Sequence, residues 1–343
     1  MFVRHLYSKR VLYQPSCFRY FSTPAIVIKA RSPLLVRAAW SEGVKYPKEL
    51  FVRRLPIEND KSYEDDTIIL EEIPSSASNG EVKSISVPRR CNRIRIEASS
   101  NVKIEADDKL EVVNDFHVTS INGDVAIRST TRANDIKIIA GGSLEFKSAV
   151  EGIKIDLKSK QGGVTAKRLH AKEVNLACKQ NASIKSLYVE RANIHIENGN
   201  GHFDTVQGNL NLKVDSGNAI VESLSGQFTI EAKENGTIHL EQSEPNATNS
   251  VKVGKQAQVY LSRDALPIVI SGNAKVNVAD PDIQFANNRL ELLAPSESEG
   301  GGQLIVTGDS NSSISIRSWI ESAIAKAQKR IEEKEIEAIA KSR

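Results

Sequence analysis

The chain has 343 residues, 40% of them hydrophobic but only 5% aromatic, so its core must be built mainly from Ile, Val, Leu and Ala. The net charge of +3 is unevenly spread: seven Lys and Arg residues and no acid precede Glu42, which leaves 39 basic against 43 acidic residues beyond it. That balance excludes a polyanion-binding body, and nucleic acid is not an expected partner.

Residues 1–41 read as a mitochondrial transit-like leader, because they are Arg-rich and free of acids, with Ser, Tyr and Phe between the charges. Arg19, Phe21 and Ser22 match a presequence-processing pattern, with cleavage expected between residues 21 and 22 and a nearly neutral chain left behind. The runs Ala25–Ile28 and Leu34–Val36 are far too short for the apolar core of a secretory signal. Residues 42–92 are mixed, broken by Pro47, Pro56, Pro74 and Pro88, and read as a lead-in or cap with one strand at Thr67–Leu70.

Residues 93–316 alternate apolar and polar positions in triplets such as Ile94-x-Ile96, Val125-x-Ile127 and Ile194-x-Ile196, the period of half-buried strands. Two series interleave. Val125, Leu144, Val164, Ile184, Phe203, Ile220 and Ile238 recur at 17 to 20 residues, and Ile136, Ile153, Val174, Ile194, Leu210 and Phe228 recur between them. A period near 20 predicts an all-β fold, a parallel β-helix or β-solenoid with two or three short strands per turn. Stacked at ~4.8 Å, perhaps eleven such turns would extend for ~50 Å. Gly123, Gly208, Gly217, Gly226 and Gly236 fall between strands, where tight corners need positive φ. The last strands are expected at Leu304–Val306 and Ile314–Ile316.

An amphipathic C-terminal helix is predicted over 317–343. Ser318 and Glu321 form a capping box, and Trp319, Ile320, Ile324, Ala327 and Ile331 supply a face that caps the solenoid or meets a partner. Oligomers through the solenoid ends or this helix are open to the chain. No run approaches the apolar length of a membrane-spanning helix.

The units Ser120–Ile127 and Val206–Ile230, with their recurring Ser/Asn-Gly-x-apolar-x-apolar pattern, resemble the bacterial “putative adhesin” domain of unknown function. Taken with the leader, the chain resembles the animal family-with-sequence-similarity-185 proteins over residues 93–278. The resemblance implies a β-helix-like body and carries over no activity and no catalytic residue.

No catalytic, cofactor or metal constellation is legible. His117, His170, His195, His202 and His239 lack metal-ligand spacing, and Cys17, Cys91 and Cys178 contain no C-x-x-C pair and read as buried thiols where they fall in the body. Asp124, Asp156, Asp204, Asp215, Asp280 and Asp282 are the acids from which a carbohydrate-active β-helix could build a site, but none cluster in sequence. The expectation is therefore a non-enzymatic β-solenoid of the mitochondrial matrix, without cofactor, acting as a scaffold for protein partners. A carbohydrate-active enzyme and a secreted or cell-surface adhesive protein are the alternatives.

Overall fold

The computed structural model describes residues 25–39, 50–55, 67–72, 82–106, 108–242, 248–261, 268–272, 275–278, 283–286, 289–292, 303–308, 311–318 and 328. The chain is mostly strand and winds into a parallel β-solenoid of about eight turns, as the period predicts. Ile94, Phe116, Ile136, Ile155, Val174, Ala192, Leu210 and Phe228 stand one above another in register, and one further pairing step aligns Thr229 with Ser250. Every second residue of this first face points inward and is buried, so each coil covers the apolar side of the next.

A second face stacks Val102, Val125, Leu144, Val164 and Ala182, with Ile104, Ile127, Phe146, Ala166 and Ile184 two residues on. A third stacks Leu110, Thr131, Val150, Leu169, Leu187 and Val206 inward, and in three of these coils a second buried residue, Val112, Ala133 or Ala171, follows two positions on. The two sequence series thus correspond to two of three faces. Two of their members are displaced, since Ile153 is 51% exposed at a corner while Ile155 fills the core, and Val221 rather than Ile220 points inward.

The corners are polar ladders. Asn181 Oδ1 accepts the Asn200 N–H at 2.7 Å, and Asn200 Oδ1 accepts the Asn218 N–H at 3.0 Å, so one coil's side chain satisfies the next coil's backbone. Gly208, Gly217 and Gly226 have the expected positive φ, of 113°, 132° and 124°. Gly123 and Gly236 do not; Gly123 serves a close approach, because a Cβ there would meet Asn101 N at 2.4 Å.

The sheet begins earlier than the leader boundary at 41 and the solenoid boundary at 93 suggest. Ala25–Ala30 pairs in parallel with both Thr67–Glu72 and Arg93–Ala98, and Leu34–Ala39 pairs with both Lys83–Pro88 and Val102–Ala106. The first strands in sequence are therefore second in space, enclosed by strands that follow them. The other end repeats the arrangement: Gln303–Gly308 and Ser313–Ser318 lie between the pair Thr248–Val253 and Gln256–Leu261 and the outer pair Ile268–Gly272 and Lys275–Val278. An antiparallel hairpin brackets each end, Leu50–Leu55 with Thr67–Glu72 and Ile283–Ala286 with Arg289–Leu292. Arg19, Phe21, Ser22 and the helix face of Trp319, Ile320, Ile324, Ala327 and Ile331 lie outside the described residues. No helix among the described residues is long and apolar enough to cross a membrane.

Cys91 and Cys178 are buried, and desolvation pushes both thiols up to about 12, with Glu197 adding to the effect at Cys178. Because the thiolate is the nucleophile, neither should react with a disulfide reagent at pH 8 while the protein is folded. The check is thiol titration of a Cys17→Ser variant. No label is expected without denaturant and two equivalents with it; rapid native labelling would contradict the burial.

Candidate functional site

Outward residues of the first face form two rows along the solenoid, because parallel in-register stacking repeats each position from coil to coil. Lys137, Asp156, Asn175, Asn193, Asn211 and Thr229 make one row, and Ile139, Lys158, Ala177, His195, Lys213 and Glu231 the other. Together they line an open groove of about 650 Å³. Ala177 is the smallest side chain of its row and sits between Lys158 and His195, so the surface dips there.

The floor of the groove is a hydrogen-bonded ladder. Asn193 Nδ2 donates to Asn175 Oδ1 at 3.0 Å, and Asn175 Nδ2 donates to Asp156 Oδ1 at 2.9 Å and to Glu173 Oε1 at 2.7 Å. These bonds fix the amide orientations, and each amide carries two N–H donors and two acceptor lone pairs, so the ladder offers both polarities to a ligand. Its five pairing steps from Lys137 to Thr229 extend for ~24 Å.

On the same face, His195 Nε2–H donates to Asp215 Oδ2 at 2.7 Å, and Lys213 and Lys233 lie 3.4 and 3.7 Å from Asp215 Oδ1. The His195 hydrogen bond holds the Asp215 carboxyl below its ordinary value; desolvation opposes it, and Lys213 adds to the lowering. A depressed carboxylate stabilises the fold fully above its unfolded pKa and loses that contribution as pH falls through the folded value. Asp215→Asn should therefore lower the melting temperature at pH 7, and the gap from the parent should close below about pH 4, near the ordinary aspartate value. A gap independent of pH would rule out the ionised partner as its source.

The acids weighed from sequence are dispersed. Asp124 belongs to a corner, where its Oδ1 accepts the Ser143 N–H at 2.6 Å. Asp156 is in the groove, Asp215 beside His195, and Asp204 on another face near His202. Asp280 and Asp282 lie outside the described residues. The groove itself was missed from sequence. Its one available signal is the exact 18-residue spacing of Asn175, Asn193 and Asn211, which registers only when polar rather than apolar recurrence is followed.

No protein-family model matches the chain, and no curated protein is similar to it at a significant level. Among solved structures, a Clostridium sporogenes protein described as a “putative cell adhesion protein” aligns over 87% of this chain and 93% of its own, at 9% identity and a TM-score of 0.15. A score that low leaves the fold resting on the strand register of this chain alone.

Proposed function

We propose that this protein is a non-enzymatic binding scaffold whose working surface is the asparagine-floored groove of the first face, with a protein segment as its partner. The observation that carries the reading is the hydrogen-bonded row Asp156–Asn175–Asn193, a rigid strip of donors and acceptors on three stacked strands within the six-strand groove. An extended peptide carries donors and acceptors at comparable intervals and needs no deep cavity. Lys137, Lys158 and Lys213 against Asp156 and Glu231 give the groove nearly balanced charge, suited to a mixed polar segment rather than a polyanion.

Hydrolytic chemistry has less support. The groove-lining carboxylates Asp156 and Glu231 lie four pairing steps apart, ~19 Å along the ladder, whereas paired glycosidase carboxyls stand within about 10 Å, and the nearer Glu173 is tied with Asp156 to the Asn175 amide. None of the residues lining the groove is an aromatic that could stack on a sugar ring.

The partner is expected in the mitochondrial matrix. The acid-free leader supports import, and cleavage after Phe21 would leave Ala25, the first residue of the first strand, intact. The reading also agrees with the resemblance to the family-with-sequence-similarity-185 proteins. A photo-crosslinking residue at position 177, in the groove, and another at 165, on the second face, test the reading in intact mitochondria. Discrete adducts from position 177 alone are expected, and they should disappear when Asn193→Lys is added. Equal adducts from both positions, or none from the groove, would overturn the assignment, and a mature chain that retains Met1 would overturn import.

A further inference from the structure

On the second face, away from the groove, the coils bring together three side chains that sequence spacing keeps apart. His202 and Asp204 are two residues apart on one strand and so point the same way. The next coil places Val221 opposite Phe203, which sets Glu222 directly beside Asp204. His202 Nε2 lies 3.1 Å from Glu222 Oε1 and 3.5 Å from Asp204 Oδ1, and the three donor atoms all fall within 4.8 Å of one another.

Two carboxylates in direct register on adjacent strands repel. Elsewhere adjacent coils set opposite charges in direct register, as in Arg132 with Glu151 and Lys252 with Glu231, whereas here Lys185 flanks Asp204 from the preceding coil and Glu222 faces it from the next. Here one imidazole nitrogen faces both acids, and a single N–H donates well to only one carboxylate. A cation between the three atoms would satisfy both. With bonds of about 2.1 Å to nitrogen and oxygen, tetrahedral ligand atoms stand about 3.4 Å apart, close to the two distances from His202 Nε2.

We infer that His202, Asp204 and Glu222 form a binding site for a divalent first-row transition ion of the zinc type. One imidazole with two carboxylates suits zinc better than magnesium or calcium, which take oxygen ligands throughout. All three ligands stand on strands rather than loops, which fixes their separation before the ion arrives. On binding, the ion takes the Nε2 lone pair and the ring proton resides on Nδ1. The three side chains are between 38% and 44% exposed, so the remaining coordination positions are open to water or to an anionic group of a partner. Lys185 occupies the position next to Asp204 in the preceding coil and opposes the ion.

Calorimetric titration of the full chain with zinc chloride at pH 7 tests the site. One-to-one binding is expected, weakened about ten-fold or more by His202→Ala or Glu222→Gln and left unchanged by His117→Ala, which alters a separate His–Asp pair. Lys185→Gln should tighten it by removing a like charge. Asp204→Asn, isosteric and exposed, serves as a further ligand variant if His202→Ala shifts the zinc-free melting temperature. Absence of one-to-one binding, equal binding by the parent and the ligand variants, or an equal loss in His117→Ala would overturn the inference.

Discussion

Replacing Gly208 with alanine is expected to destabilise the protein by about 3–5 kcal/mol, the combined scale of a strained backbone and an overpacked contact. Its φ of +113° is one that side chains avoid, and an added Cβ would stand 1.7 Å from the Val189 carbonyl oxygen. Neither problem can be relieved by rotating a side chain, because the obstacle is the backbone of the preceding coil. Gly226 repeats the difficulty one coil on, where a Cβ would meet Gly208 O at 2.5 Å. Gly236→Ala is the informative comparison: its Cβ would approach a Val253 methyl at 3.0 Å and nothing else closely, so a cost below about 1 kcal/mol is expected. Urea unfolding followed by circular dichroism measures both, and similar midpoints for the two variants would refute the argument from backbone contact.

Phe203→Ala is expected to cost about 3–5 kcal/mol, as deletion of a fully buried aromatic does when its surroundings cannot collapse. Phe203 has no exposed surface, and its ring fills space vacated at Gly201, where a Cβ would stand 2.9 Å from the ring and 2.9 Å from Ile196 Cδ1. The Gly201 column carries Ala182 before and Ala219 after, so on that side only small residues border the void. Phe203→Leu keeps most of the volume and should cost less than about 1.5 kcal/mol. Because each coil touches only its neighbours, hydrogen exchange in Phe203→Ala should rise first in strands Ala182–Ile196 and Ala219–Ser225. Uniform loss of protection along the whole solenoid would point to a global rather than nearest-neighbour effect.

Recurrence of paired inward residues made two faces of the solenoid readable from sequence. Ile136-x-Ile138 and Val174-x-Leu176 each bury two side chains, so their period survives small changes in coil length. The third face is less regular: Leu110-x-Val112 has the triplet form, but Leu187 and Val206 have no fully buried residue two positions on, so the recurrence lapses from coil to coil. Nor does a turn residue mark the corner before it, since Val164–Cys178 runs as one 15-residue strand through all three faces. At the start of the chain the signal was present but outweighed. Ile26-x-Ile28 and Leu34-x-Val36 have the same triplet form as the later strands and are buried, yet the basic composition around them reads as leader. The polar surfaces were the least legible part, because His202, Asp204 and Glu222 meet through an 18-residue coil step, and that step differs from coil to coil.

The enclosed position of Ala25–Ala30 and Leu34–Ala39 makes the chain's opening segment a wedge rather than a first course. A coil laid at the end of a stack could be trimmed and leave a shorter stack. Trimming to residue 41 would instead open a gap one strand wide between the outer coil and the body, with two facing rows of backbone N–H and C=O groups left unanswered. Such a gap is shaped for one sequence above others, the same wedge from a second molecule. Shortened forms of this protein should therefore exchange strands with full-length copies before they aggregate through their outer ends. Synthesis imposes the same order on a single chain: its first strands emerge with neither flanking partner yet made, and they complete their pairing only after the strands through Ala106 have been released.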